Sequence, residues 1–392
     1  MPDIFEKCEK FTIATELMHA GLYPYFKRIE SMQGPEVIVE GEKKIVVCSN
    51  NYLGLADHPK VIEASIEAAK KYGTSCTGSR FLNGTNGLHV EIEQKFANFV
   101  GKEEAILFTT GHQSNLGAIP TIVGKGEVIV TDRLDHASII DGCRLSLGEM
   151  VRFKHNDMAD LERVLEKNKD KGMLIVVDGI FSMEGDIINL PGVVALAKKY
   201  GAKVFVDEAH SLGVIGKNGT GTGEHFNMQG DVDIIMATAS KSLASIGGFI
   251  AGDKQVINYI KHMSRSLVFT ASLPPACVGA IGAALDILQE EPERRKKLWE
   301  NTNKMKEGFK SMGFDTGTSE SPIIPLTIGD DMTAFKMWRM LFDAGVFTSP
   351  VVSPAVPSAI IRTSYMATHT SEQLDFVLET FGKVAKELGV IS

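Results

Sequence analysis

The sequence has little of what marks several large protein classes. Its five cysteines, Cys8, Cys48, Cys76, Cys143 and Cys277, are odd in number and scattered. They form neither a Cys-x-x-Cys pair nor a disulfide framework, so a reducing, cytoplasmic setting is expected. Basic residues are not in excess: 41 Lys and Arg stand against 49 Asp and Glu, a formal net charge of -8. That balance argues against nucleic acid, which favours a basic face. His210 and His225 stand apart from any Cys/His cluster, so no metal site is expected. There is no low-complexity tract and no internal repeat. The opening stretch, "MPDIFEKCEKFTIATEL", lacks the apolar core of a secretory signal. Residues 266–285 carry no charge and are numerous enough to span a bilayer. They include Pro274-Pro275 and the hydroxyls of Ser266, Thr270 and Ser272, and read better as a loop, "SLVFTASLPP", with a helix starting at the prolines. Membrane contact is expected to be peripheral at most.

What is present is an α/β rhythm. Apolar, β-rich runs recur at 104–108 ("EAILF"), 127–132 ("EVIVTD"), 173–178 ("MLIVVD"), 202–207 ("AKVFVD"), 231–237 ("DVDIIMA") and 247–252 ("GGFIAG"). Continuous rather than alternating apolar runs predict strands buried on both faces. "MADLERVLEKNKD" and "LPGVVALAKKYG" between them have helical spacing, the second ending at Gly201 as at a C-cap. A length of 392 residues favours two domains. The expected division is an N-terminal segment 1–49, a large domain 50–285 with a mostly parallel sheet, and a smaller α+β domain 286–392.

Ligands of an open parallel sheet collect at the carboxyl ends of its strands. Three of the runs end in polar groups there: Asp178 before "GIFSMEGD", Asp207 before "EAH", and "IIMATAS" leading into Lys241. Lys241 is the one charged side chain in "MATASKSLASIGGF". It is either a solvated loop charge or a buried amine of lowered pKa that can form a Schiff base with a carbonyl. "TTGHQSN" follows a strand and opens a helix, so the amides of Gly111 and His112 can form an anion site. His136, in "DHASIIDG", follows another strand. The glycine-rich "GKNGTGTGEH" lacks the Ser or Thr that a phosphate loop needs after Gly-Lys and reads as a flexible turn. An anion site, a strand-end acid, a histidine after it and a distant lysine are together what pyridoxal 5'-phosphate requires.

The motifs "GTSCTGSRFLNGTNGLHVEIE", "DHASIIDG", "DGIFSMEGD", "VDEAHSLGVIG", "TASKSLASIGGF", "FTASLPP" and "IRTSYMATHT" occur in this order. With them the chain resembles the α-oxoamine synthases, which join an amino acid to an acyl-CoA with loss of CO2. The resemblance runs from "NNYLGL" to "MATHT". It implies an α/β, fold type I pyridoxal-phosphate transferase with a mostly parallel central sheet and a smaller C-terminal α+β domain. It implies Lys241 as the Schiff-base lysine, Asp207 on the pyridinium nitrogen, and His210, with Ser182 nearby, on the ring hydroxyl. His136 is implied over the ring, where it also meets the substrate carboxylate. Gly111, His112, Thr238 and Ser240 would hold the phosphate, and Thr270 would reach it across a homodimer interface. Arg362 would take the amino-acid carboxylate as a bidentate fork. Asn51 and Tyr52 would border the site from the neighbouring subunit, and Arg80 and Asn83 would shape the acyl-CoA side. His112 departs from the aromatic residue usual in the family, but its backbone amide can still serve the phosphate.

Within the family, "SRFLNGT", "TSPVVSPAVP" and "SYMATHT" look most like the bacterial members that make 3-ketosphinganine from L-serine and palmitoyl-CoA, the first step of sphingolipid synthesis. Products such as 2-amino-3-ketobutyrate or 8-amino-7-oxononanoate, or use of cysteate, stay open, as does a fold type I aminotransferase, which shares the lysine and aspartate.

Overall fold

The computed structural model describes residues 3–392. Near the N-terminus β1 (Glu36–Val39) and β2 (Glu42–Val46) form an antiparallel hairpin. Its turn, Glu40-Gly41, has positive φ at both residues, 54° and 77°, the backbone that matches the twist of a two-residue hairpin. Seven strands then build the central sheet. They are β3 (Glu104–Phe108), β4 (Val128–Asp132), β5 (Glu149–Phe153), β6 (Met173–Asp178), β7 (Lys203–Asp207), β8 (Ile234–Thr238) and β9 (Gly248–Gly252). Their spatial order is β3-β9-β8-β7-β6-β4-β5. Strands β4 to β8 pair in parallel, while β9 runs antiparallel to both neighbours.

Side chains alternate across a strand, so each continuous apolar run is split between two cores. Val130, Ile175, Val177, Val204 and Val206 face one hydrophobic cluster. Ile129, Leu174, Val176, Phe205 and Ile234 face the other. This is why these strands read as unbroken apolar stretches. Strand β5, "EMVRF", escapes that criterion because it lies at the sheet edge with Glu149 and Arg152 in solvent.

The helices follow their local signals. Asp157 caps Met158–Lys167 by accepting from the backbone N–H of Ala159 and Asp160, both at 3.0 Å. Leu190–Tyr200 ends at Gly201 in the left-handed conformation, φ 68°. Pro275–Glu290 starts at the prolines as expected, but the preceding stretch read as loop contains a short helix, Arg265–Val268. No described helix is long and apolar enough to cross a membrane. The glycine-rich stretch 216–225 is not the flexible turn its composition predicts. It is tied down by Glu224, which accepts from the backbone N–H of Asn218 and Thr220, and by Glu208, which accepts from that of Thr222.

The C-terminal part contains β10 (Ile323–Gly329), β11 (Val346–Phe347), β12 (Ser349–Val351) and β13 (Ala359–Ser364). Strands β10, β13 and β12 form a small antiparallel sheet, and β11 pairs in parallel with β2. The N-terminal hairpin thereby joins the C-terminal core, where Val37, Val39 and Val46 pack with Trp338, Phe342, Ile361 and Phe381.

Helix Pro275–Glu290 packs tightly on Pro59–Tyr72. A Cβ added at Gly279 would lie 2.5 Å from the Ala64 carbonyl and 2.7 Å from Ala68 Cβ. Because backbone cannot give way as a flexible side chain can, Gly279→Leu should destabilise the protein by about 1–3 kcal/mol. Urea unfolding checks this; an unchanged midpoint would contradict the packing described.

Candidate active site

The carboxyl ends of β4, β6, β7 and β8 open on one edge of the sheet, next to a cavity of about 330 Å³. Asp178 and Asp207 lie opposite each other in the β6–β7 register, and both line it. Asp207 is 2% exposed. Its Oδ2 accepts from Asn115 Nδ2 at 2.8 Å and its Oδ1 from the Ala209 N–H at 2.9 Å. Asn115 also donates to Ser138 Oγ at 2.9 Å. Burial, with Asp207 and Asp135 nearby, pushes the Asp178 carboxyl well above the usual carboxylate range. Asp178 Oδ2 accepts the backbone N–H of His136 at 2.7 Å.

His136 caps helix Ala137–Leu145, its Nδ1 accepting from the Ser138 N–H at 3.2 Å. Desolvation lowers its pKa and Asp207 opposes the drop, while Lys241 and His112 add to it.

Lys241 lies in the connection from β8 to β9. That loop is closed by the Ala239 N–H donating to the Gly247 carbonyl at 2.9 Å, and Ala244 adopts the left-handed conformation, φ 51°. Burial lowers the Lys241 pKa from 10.5 to about 8, with Arg362 adding to the drop and Asp207 and Asp178 opposing it. An amine so placed is a competent nucleophile and base near neutral pH.

Beside it stands the N-terminus of helix Gly111–Ile122. Thr110 Oγ1 accepts from the Gln113 N–H at 3.0 Å. The amides of Gly111 and His112 point out of the helix start, and the hydroxyls of Thr238 and Ser240, 2.8 Å apart, face the same cavity. A Cβ on Gly111 would lie 2.6 Å from Thr238 Oγ1 and 2.8 Å from Thr238 Cβ, so only glycine lets the helix start come this close. Helix amides plus hydroxyls make an anion cradle.

His210 is buried, and burial, with Lys241, Arg362 and His136 around it, lowers its pKa well below the ordinary value. Its Nδ1 is 2.8 Å from the Tyr52 hydroxyl. Burial pushes the Tyr52 phenol up to about 12, so it stays protonated. When it donates to Nδ1, the neutral ring carries its proton on Nε2. Arg362, on β13, donates from Nε to the Ser182 carbonyl at 2.7 Å and from Nη2 to Asn50 Oδ1 at 3.2 Å.

The expected site residues thus divide. Gly111, His112, His136, Asp207, His210, Thr238, Ser240 and Lys241 share the cavity lining. Tyr52 is corrected in one respect: it reaches His210 within its own chain rather than from a neighbour. Asn51 is consumed by local bonds, donating to the Gln33 carbonyl and accepting from the N–H of Leu55. Arg80 is buried, its fork engaged by Glu93, with Nη1 2.6 Å from Oε1 and Nη2 3.0 Å from Oε2, and its Nε by Thr85. With Glu93 it ties down the Leu107 backbone of β3, and it lies outside the cavity lining. Asn83 lies outside the cavity and donates weakly to the Cys76 carbonyl at 3.4 Å. Thr270 follows the exposed Phe269, also outside the lining of this single chain. Asn50 and Asn115 were missed. Asn115 lies four residues, about one helical turn, beyond Gly111, and that spacing is the signal that could have found it.

The family model for class I and II aminotransferases matches residues 42–381. A serine palmitoyltransferase of Sphingobacterium spiritivorum is 50% identical over 390 residues, which is 99% of this chain and 98% of that one. An 8-amino-7-oxononanoate synthase of Thermoanaerobacter pseudethanolicus is 46% identical over 380 residues, 96% of each chain. Among solved structures, a serine palmitoyltransferase from S. paucimobilis with a bound PLP–myriocin aldimine is similar at a TM-score of 0.96 and 37% identity, covering 100% of both chains.

The lowered lysine gives a direct check. In the cofactor-free protein, acetylation of Lys241 by acetic anhydride, followed by peptide mass analysis, should reach half its maximal rate near pH 8, against about 10.5 for surface lysines. A midpoint above 10 would contradict the site's electrostatics.

Proposed function

The chain belongs to the class I and II aminotransferase family, in its α-oxoamine synthase branch, and on that premise we propose that it joins L-serine to palmitoyl-CoA with loss of CO2, giving 3-ketosphinganine. The observation that carries this reading is the 50% identity to a serine palmitoyltransferase across 99% of the chain. The enzyme works with pyridoxal 5'-phosphate, and the residues fit that group. The cradle that only glycine permits at Gly111, with Thr238 and Ser240, suits its phosphate. Asp207 suits its ring nitrogen and His210 its ring hydroxyl, whereas Ser182 lies outside the cavity lining and contributes its carbonyl to Arg362. His136 suits a place over the ring face. When bound, the cofactor supplies an electron sink for negative charge at the substrate Cα.

The chain's own groups do the rest. Lys241, with its pKa near 8, holds the cofactor and then takes the Cα proton. Asn115 and the Ala209 amide fix the Asp207 carboxylate in place. Arg362 uses Nε and one Nη on Ser182 and Asn50. Its remaining N–H groups orient the carboxylate that leaves as CO2, with His136 beside it.

The active unit we propose is a homodimer with shared sites. Leu145, Leu147, Tyr259, Met263 and Phe269 are exposed around one groove of about 700 Å³, and Thr270 directly follows it. Contiguous apolar surface of this kind marks an interaction face.

A second reading rests on the 46% identity to the 8-amino-7-oxononanoate synthase. That product needs alanine and a seven-carbon acyl group ending in a carboxylate. Product mass analysis with competing substrates separates the two: kcat/KM should be highest for serine with palmitoyl-CoA. The protein should sediment as a dimer, and Lys241→Ala should abolish turnover while staying folded. Preference for alanine with the carboxyacyl-CoA would establish the second reading instead, and a fully active monomer would overturn the shared site.

A further inference from the structure

His155 lies outside the cavity, in the turn between β5 and helix Met158–Lys167. Its Nδ1 is 3.0 Å from Asp132 Oδ1 and its Nε2 is 2.8 Å from Asp186 Oδ2. A neutral imidazole has one N–H and can donate to only one carboxylate; bonding both requires the imidazolium. The ring stands edge-on to Phe181, centroids 4.5 Å apart.

Each carboxylate leads toward the site. Asp132 ends β4, and its backbone N–H donates to Asp135 Oδ2 at 2.8 Å. Asp135 Oδ1 accepts the Asp178 N–H at 2.8 Å, and Asp178 Oδ2 accepts that of His136 at 2.7 Å. Asp186 closes the loop 180–187. Its carbonyl accepts the Phe181 N–H at 3.1 Å, and Ile180 bridges to Ile187. That loop presents the Ser182 carbonyl to Arg362 Nε.

We propose that His155 is a positioning residue: its imidazolium ties Asp132 to Asp186 and so fixes the loop whose Ser182 carbonyl aims Arg362 at the substrate carboxylate. The kinetic part of this rests on the reading of Arg362 given above. The ionisable groups facing the ring are Asp132 from β4 and Asp186 and Glu184 from the loop, with Asp135 and Asp178 behind them. Burial opposes the charge on His155, but the hydrogen bonds and charges of Asp132 and Asp186 outweigh it and raise its pKa from 6.5 to about 10. The tie therefore holds in the folded protein until pH rises through about 10, and the stability it contributes is full below pH 6.5 and lost through about 10.

The test uses two readouts. In cofactor-free protein labelled with 15N-histidine, the His155 resonances, assigned by their loss in His155→Gln, should show both ring nitrogens protonated at about pH 8, where an unperturbed histidine is neutral. Asp186→Asn should lower the midpoint by about one pH unit or more, since it removes one of the two charged acceptors. In the loaded enzyme, His155→Gln should raise the amino-acid KM about ten-fold, as weakening a hydrogen-bonded charge does, and leave the acyl-CoA KM unchanged. A ring that titrates near 6.5 overturns the proposal, as does a fall in kcat with the amino-acid KM unmoved. Arg362→Lys separates the failures: an unchanged amino-acid KM there overturns the Arg362 reading, while a doubly protonated His155 still supports the tie between the loops.

Discussion

Asp178 and Asp207 face each other in parallel register, and Lys241 enters the same cavity from the end of the neighbouring β8. Parallel pairing sets this arrangement, because it brings the carboxyl ends of β4 to β8 to one edge. Burial, with Asp207 and Asp135 nearby, raises the Asp178 carboxyl well above its usual range. The same burial lowers the lysine. A lysine held below its usual range and an acid held above its own thus line one small cavity, and an amine so lowered exchanges its proton near neutral pH.

The remaining parts support that volume from a distance. Helix Gly111–Ile122 delivers both an anion cradle at its start and Asn115, one turn in, to Asp207. The C-terminal sheet sends Arg362 back to the large sheet's loops at Ser182 and Asn50. The stretch after the N-terminal hairpin supplies Tyr52, which sets the His210 ring. Residues from three distant parts of the chain therefore meet over one sheet edge, while the buried Arg80–Glu93 pair is tied to the Leu107 backbone of β3.

What was legible in the sequence was whatever is local. Strands buried on both faces show as apolar runs, and their terminal acids and the lone lysine stand out against small neighbours. The edge strand β5 and the Glu40-Gly41 hairpin did not show, because exposed residues interrupt their apolar runs. Contacts across long separations were also hidden. Nothing near Arg80 reveals that Glu93 consumes its fork, and nothing near Tyr52 reveals that it meets His210 in its own chain. His155 looks like an ordinary loop histidine until Asp132 and Asp186 are seen on either side of it.

The central claim is that Lys241, and no other amine, carries the cofactor. Borohydride reduction of the loaded protein followed by peptide mapping tests it most directly. The reduced cofactor's mass should appear on the peptide containing Lys241 and on no other. The same mass on a different lysine, or none on any peptide, would contradict it.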